Sequence, residues 1–187
     1  MKMSKSLHKR LMGTSLLLLG VVAPSIMLAS PSTAVQFPDG RTAFNSPPRL
    51  IEAESSYTQQ NVPSTYYFTL KIPANAGEPL KAIKIAQREN VETISYGGNS
   101  TRAFQGSRWA RGTQFSLTPV GGSTEPGAMT VVFDSPVQPG ETITVALKAK
   151  NNPTFGGIYH FGVTAYPAGD KSIGQFLGYA RLSFYAD

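Results

Sequence analysis

Apolar and polar residues alternate along most of the chain after residue 34, in short runs. Successive side chains of a β-strand point to opposite faces of its sheet, so each run predicts a strand with one buried face. Four runs have clear inward rows: Tyr66, Phe68, Leu70 and Ile72; Met129, Val131 and Phe133; Ile143, Val145, Leu147 and Ala149; Tyr159, Phe161, Val163 and Ala165. The last run predicts two rows: Phe176, Ala180, Leu182 and Phe184 inside, and Tyr179, Arg181, Ser183 and Tyr185 outside.

Turn residues separate these runs at short intervals. Pro139-Gly140 suits the centre of a type II turn, because proline fixes φ and glycine accepts a positive φ. The 14 prolines and 18 glycines disfavour long helices. A helical period fits only residues 78–93, where we predict a strand through Ile85 and then a short helical turn over residues 90–93. The pattern predicts an all-β fold, an antiparallel immunoglobulin-like β-sandwich formed as a single domain by residues 35–187.

The first 34 residues differ from the rest and have the features of a secretory signal peptide. Four basic residues precede an apolar run over residues 11–28, and small residues follow it. We predict cleavage after Ala34. A retained membrane anchor is the alternative, but Gly13, Gly20 and Pro24 weaken the apolar run. The predicted mature protein is therefore exported to the periplasm, the cell envelope or the medium, with no membrane span after signal removal.

Composition narrows the chemistry of the exported part. Of the 17 basic residues, four precede residue 35, whereas all 11 acidic residues follow it, so the remainder has a net charge of +2. That charge gives no general reason to expect a nucleic acid as partner. The chain contains no cysteine, which excludes disulfides, thiolate metal sites and a cysteine nucleophile.

Few residues beyond residue 34 are suited to catalysis or metal binding. His160 is the only histidine there and Met129 the only methionine, so a soft metal site lacks ligands. No Gly-x-Ser-x-Gly motif supplies a nucleophile. We expect no catalytic residue, no metal and no cofactor, with Glu52 and Glu54 as solvated charges. A calcium site is the less favoured alternative, built from four acidic residues in predicted turns: Asp39, Glu125, Asp134 and Asp170.

Several segments together resemble a family of small secreted cyanobacterial proteins known only as a domain of unknown function. The resemblance spans nearly all of the chain after residue 34 and is carried by these motifs among others: Gly77-Glu78-Pro79-Leu80, Phe133-Asp134-Ser135-Pro136 and Phe161-Gly162-Val163-Thr164-Ala165-Tyr166-Pro167. It implies an exported cyanobacterial protein. It supplies no activity and no site residues.

One glycine-containing loop gathers the strongest candidates for ligand binding. Residues 102–112 contain Arg102, Arg108 and Arg111 together with Trp109, the only tryptophan. Arginine forks bind carboxylate, sulfate or phosphate, and an exposed tryptophan stacks on sugars. These four residues are the predicted ligand-binding site. In the alternative, Trp109 packs beneath the loop and the arginines remain in water. Phe104 is expected in the core in either case.

A second candidate surface consists of Tyr67, Tyr179 and Tyr185, which the alternation places outward. Outward aromatic residues can form a protein- or glycan-binding face, although tyrosine is also a good strand former. We therefore expect an exported, non-enzymatic binding module, with acidic envelope polysaccharide as its candidate ligand. The alternative is a structural or accessory protein that contacts another exported protein through a sheet edge or a tyrosine face.

Overall fold

The computed structural model of the chain describes residues 35–36, 39–97, 100–118 and 125–185. The predicted signal peptide lies outside these residues. The described chain forms twelve strands: β1 (Val35–Gln36), β2 (Thr42–Ala43), β3 (Arg49–Ser55), β4 (Ser64–Lys71), β5 (Leu80–Gln87), β6 (Arg102–Gly106), β7 (Arg111–Phe115), β8 (Leu117–Thr118), β9 (Ala128–Val137), β10 (Thr142–Ala149), β11 (Gly157–Pro167) and β12 (Gln175–Phe184). The same ranges contain no helix with the length and apolar character of a bilayer span.

Ten of the strands form two five-stranded sheets. The first sheet has the order β3-β4-β10-β6-β7 and the second the order β12-β11-β5-β9-β8, while β1 and β2 pair with each other. Neighbouring strands within both sheets are antiparallel. The expectation of an all-β antiparallel sandwich is confirmed.

The core lies between the two sheets and is built from the predicted inward rows. Residues of β4 and β10 in the first sheet and of β5, β9 and β11 in the second are buried together in one apolar cluster. Aromatic rings join the sheets directly, since the ring centre of Phe161 lies 5.9 Å from that of Tyr66 and 5.8 Å from that of Phe68. Burial of these rows drives the two sheets together.

One inward row is interrupted, and there the sequence prediction is wrong. In β12, Gly178 pairs with Val163 but Phe176 pairs with Thr164, so Leu177 is an extra residue in the ladder. A bulge of this kind reverses the alternation beyond it. Phe176 is therefore 57% exposed, whereas Leu177 packs against the core.

Two smaller expectations in the connecting segments also fail. Residues 90–93 contain a bend at residues 91–92 rather than a helical turn, and the Glu92 carboxylate accepts a hydrogen bond from the backbone N–H of Thr154. Asp134 lies in strand β9 rather than in a turn, and its carboxylate accepts a hydrogen bond from the Thr118 hydroxyl. The turn after β9 is as predicted, with φ of +93° at Gly140.

A buried asparagine ties the loop after β3 to the core. Asn152 is 2% exposed, and its amide nitrogen donates to the carbonyl oxygens of Tyr57 and Gln59. Its amide oxygen accepts a hydrogen bond from the Tyr66 hydroxyl at 2.9 Å. These bonds satisfy polar groups that burial would otherwise leave unpaired, and they fix the position of the loop.

Candidate functional site

The predicted binding loop is a hairpin formed by β6 and β7 at one side of the first sheet. β6 pairs with β10, which pairs with β4, so Arg102, Ala146 and Tyr67 lie side by side on one rung. At Gly106 the backbone has φ of +86°, and a Cβ there would lie 2.1 Å from the carbonyl oxygen of Ala110. Only glycine permits this close approach, which brings the loop over the outer face of the sheet.

An open groove of about 410 Å³ lies on that outer face. Arg102, Arg111 and Lys148 contribute its cationic side chains, and Tyr67 and Phe104 contribute aromatic rings. None of the described residues that line the groove is acidic. The groove therefore has the charge of an anion-binding surface combined with apolar ring surface.

Arg111 is held across the aromatic part of the groove. Its Nε donates to the carbonyl oxygen of Arg108 at 3.0 Å. Its guanidinium carbon lies 5.0 Å from the ring centre of Phe104 and 5.7 Å from that of Tyr67. These distances are in the range of cation–π attraction, so the guanidinium is oriented while its terminal nitrogens make no hydrogen bond within the described residues.

Phe104 is buried as expected, at 7% exposure, but it does not lie in the core between the sheets. It pairs with Thr144, whose hydroxyl bonds to Thr69 and to the carbonyl oxygen of Gly106. Its neighbour Ala103 occupies the core instead. Arg111 and the hairpin cover the Phe104 ring from outside, which explains its burial.

Arg108 lies outside the groove and has other partners. Its guanidinium carbon is 4.6 Å from the ring centre of Tyr67 and 4.5 Å from that of Trp109. Its Nη1 lies 3.4 Å from a carboxylate oxygen of Glu54 and 3.3 Å from the carbonyl oxygen of Ser55. With a side chain only 16% exposed, Arg108 positions its neighbours rather than presenting a free fork to a ligand.

Trp109 is 76% exposed, so the alternative in which it packs beneath the loop is wrong. The Arg108 guanidinium lies over its ring, and the same guanidinium lies over Tyr67, a residue of the groove. Trp109 thus stands next to the groove without lining it. Of the four predicted residues, Arg102 and Arg111 meet in the groove, and Arg108 and Trp109 form a stack beside it.

Sequence reasoning missed Lys148 as a member of the site. The alternation of β10 places Lys148 outward with Ala146, but only the pairing of β10 with β6 brings it near Arg102. Ala146 is opposite Arg102, so Lys148 is a diagonal neighbour, within reach of a long side chain. This strand pairing joins residues 46 positions apart in the sequence and leaves no local signal.

The remaining candidates are dispersed. Glu54 faces Arg108 instead of standing as a solvated charge. Tyr67 belongs to the first sheet and Tyr179 to the second, so the three tyrosines do not share one face. His160 is exposed on the second sheet, as the alternation predicts. In the described ranges, no three histidine or acidic residues come close enough to hold a metal ion.

Three solved structures are distantly similar to this chain. One structure, of manganese lipoxygenase of Gaeumannomyces graminis with part of zonadhesin of Komagataella pastoris, aligns over 72% of this chain at 9% identity and a TM-score of 0.46. This chain covers 49% of that structure, about half its length. The collagen-binding domain of a Staphylococcus aureus adhesin aligns over 72% of this chain and 94% of its own, at 7% identity and a TM-score of 0.39. A cohesin module of a Clostridium perfringens family 33 glycoside hydrolase aligns over 78% of this chain and 97% of its own, at 13% identity and a TM-score of 0.37.

Comparisons at the sequence level identify a family. No curated protein matches the chain significantly. The model of one family, described as a protein of unknown function (DUF2808), matches residues 41–184. That range includes both sheets of the sandwich, the groove and the Arg108–Trp109 stack. The chain belongs to this family of unknown function, DUF2808.

Proposed function

We propose that this chain is an exported, non-enzymatic binding protein whose groove on the first sheet holds an acidic polysaccharide. The observation that carries the proposal is the convergence of Arg102, Arg111 and Lys148 on one groove with no acidic residue among its described lining. Arginine forks pair with the planar carboxylate or the sulfate groups of acidic sugars. Cofactors and metals have no part in this function.

The shape and the aromatic content of the site favour a saccharide chain over a small free anion. The groove is open along the sheet rather than closed around a single group, and Tyr67 and Phe104 supply apolar surface beside the cations. The exposed indole of Trp109 offers a further ring surface next to it. Acidic sugars combine charged groups with apolar ring faces, and the site has both kinds of contact surface.

A binding role is also favoured over catalysis. Glycoside hydrolysis needs two carboxyl groups across the scissile bond, and general acid–base work most often uses a histidine or a carboxylate. The described lining of the groove has neither. His160 lies in β11 of the second sheet, and Glu54 is engaged by Arg108. Export, and a cyanobacterial envelope or medium as the place of action, rest on the signal-peptide features of residues 1–34 and on the sequence resemblance.

The experiment is a titration of the purified protein with polygalacturonate, with fluorescence of the single tryptophan as the signal. The test variant is the double substitution Arg102→Ala with Arg111→Ala. The control is Lys150→Ala with Arg181→Ala, which removes the same charge from positions outside the groove lining. We expect saturable binding by the wild type and the control.

Loss of the two arginines should weaken binding about 100-fold or more, because a hydrogen bond to a charged group contributes about 1.5–3 kcal/mol and each 1.4 kcal/mol is tenfold. Binding should also weaken strongly in about 1 M salt, where the screening length is about 3 Å. Equal affinity of the test and control variants, or affinity independent of salt, would contradict the proposal.

A further inference from the structure

The second sheet carries a separate surface that the proposed function does not use. The bulge at Leu177 turns Phe176 outward, beside Tyr179, and the two ring centres lie 5.1 Å apart. Phe176 is 57% exposed and Tyr179 55%. Without the extra residue, Phe176 would follow the inward row of β12. β-Bulges are frequently found where a side chain is re-aimed for function.

The backbone beneath this ring pair is shaped to receive it. A Cβ at Gly162 of β11 would lie 3.2 Å from Cε2 of Phe176 and 3.5 Å from Cε1 of Tyr179. A Cβ at position 162 would therefore require the Phe176 ring to shift by a few tenths of an ångström, and a larger side chain would displace the rings further. Gly178, at the bulge, has φ of +125°, a conformation that other residues rarely adopt. Two glycines thus hold two exposed aromatic residues in a defined arrangement.

Arginine side chains lie beside the rings, and the exposed Glu89 follows Arg88 in the sequence. The Arg88 guanidinium carbon lies 5.8 Å from the ring centre of Tyr179, and the imidazole of His160 lies 6.4 Å from it. Arg181 is exposed opposite His160. β11 and β12 contain no acidic residue. We call Phe176, Tyr179, His160, Arg88 and Arg181 the aromatic patch.

The aromatic patch continues into a groove of about 370 Å³ at the start of β12. Phe176 and Leu177 form one side of this groove, and Pro47, Pro48 and Pro73 line it from the facing loops. Arg49 lies at the same groove and adds a further cation. A ligand that contacts the ring pair can therefore extend into this groove, whose lining also includes the polar residues Asn45, Ser46 and Asn75.

We propose that the aromatic patch docks a segment of another protein that is rich in acidic and aromatic residues. Charge complementarity favours this partner, since Arg88 and Arg181 lie beside the rings and β11 and β12 provide no carboxylate. The rings of Phe176 and Tyr179 meet at 69°, so they offer no common plane on which a sugar chain would stack. A second copy of this chain is disfavoured, because a twofold contact would place the same cations against each other.

The test is a selection of displayed random peptides on the purified protein, with counter-selection on the Phe176→Ala, Tyr179→Ala double variant. The enriched peptides should combine Asp or Glu with Phe, Tyr or Trp. A synthetic peptide of the enriched sequence should bind the wild type and lose about 10-fold or more in affinity for Phe176→Ala, as expected for a central aromatic contact. Gly162→Val should weaken binding while keeping both rings. The control Tyr185→Ala, which removes a 63%-exposed tyrosine outside the patch, should leave the peptide affinity unchanged.

Several outcomes would overturn the proposal. They are failure to enrich any sequence, enrichment of basic or uncharged sequences, and equal binding to the double variant. Self-association that disappears in Phe176→Ala would assign the patch to a second copy, and displacement of the peptide by polygalacturonate would assign it to the glycan. The Arg102→Ala, Arg111→Ala variant should keep full peptide affinity, so the two proposals can fail separately.

Discussion

Replacement of Arg108 by alanine should reduce the stability of the fold. Of the three arginines in this loop, Arg108 is the one that does not line the groove, and its contacts are with other residues of the chain. Its side chain is 16% exposed, and its guanidinium lies within 4.6 Å of the ring centres of both Tyr67 and Trp109. The same guanidinium lies 3.4 Å from the carboxylate of Glu54. Alanine removes both ring contacts and leaves Glu54 without this partner.

The expected size of the effect follows from these contacts. Each cation–π contact contributes about 0.5–1 kcal/mol at an exposed site and more where water is excluded. The ion pair adds up to about 1 kcal/mol, because the Glu54 side chain is 30% exposed and therefore partly screened. A total of about 1–3 kcal/mol should lower the Tm by about 2–4 °C for each kcal/mol in a chain of this size.

The assay compares Arg108→Ala with Arg102→Ala by thermal unfolding and by steady-state anisotropy of Trp109. The Arg102 side chain is exposed and makes no hydrogen bond within the described residues, so its loss should leave the Tm unchanged. Arg108→Ala should also lower the anisotropy, because the indole loses the guanidinium that holds it. Arg108→Lys should recover only part of the loss, since an ammonium lacks the planar stacking surface. An unchanged Tm and anisotropy for Arg108→Ala would refute the supporting role of this residue.

Three further predictions concern the scaffold. Asn152→Ala should lower the free energy of unfolding by about 2–3 kcal/mol in urea denaturation, because it leaves the buried Tyr66 hydroxyl and two loop carbonyls without their bonds; a loss below about 0.5 kcal/mol would contradict this. Gly140→Ala should cost about 1–2 kcal/mol in the same assay from backbone strain alone, since φ is +93° and the added methyl meets nothing within 4 Å; no change would contradict the type II turn. Burial raises the pKa of Tyr66 and of Tyr96 above the ordinary 10.0, so these tyrosines ionise in the unfolded chain before they do in the folded one. The free energy of unfolding should therefore be constant below about pH 10 and fall as the pH rises further. It should fall less steeply in Tyr96→Phe than in the wild type, and equal pH profiles for these two proteins would contradict the expectation.

The fold follows from the sequence wherever burial alone decides which way a side chain points. The alternation around Tyr66, Val145 and Phe161 is regular because one face of each strand is covered by the opposite sheet. It fails at Phe176, where one extra residue reverses the alternation. A single bulge shifts every residue beyond it, and hydrophobicity does not mark its position, because Phe176 and Leu177 are both apolar. The only local sign is Gly178.

The site could be predicted only in part. Clustering of arginines with the single tryptophan pointed to the β6–β7 hairpin, two of whose arginines line the groove, because these residues are close along the chain. Two of the arginines line the groove, whereas Arg108 pairs with Glu54. This difference depends on residues of β3 and β4, which are distant from the hairpin in sequence. Lys148 entered the site through strand pairing for the same reason. The resemblance to a domain of unknown function is confirmed by the family match, and it supplied no site residues.

The most direct test of the proposed groove is an NMR map of backbone amide shifts on addition of a short oligogalacturonate. The account predicts that the largest shifts cluster on β6, β7 and β10, around Arg102, Gly112 and Lys148, and that the indole N–H of Trp109 also moves. The amides of β11 and β12 should remain unchanged, because they belong to the second sheet. Shifts confined to the second sheet, or no saturable shifts at low salt, would contradict the central claim.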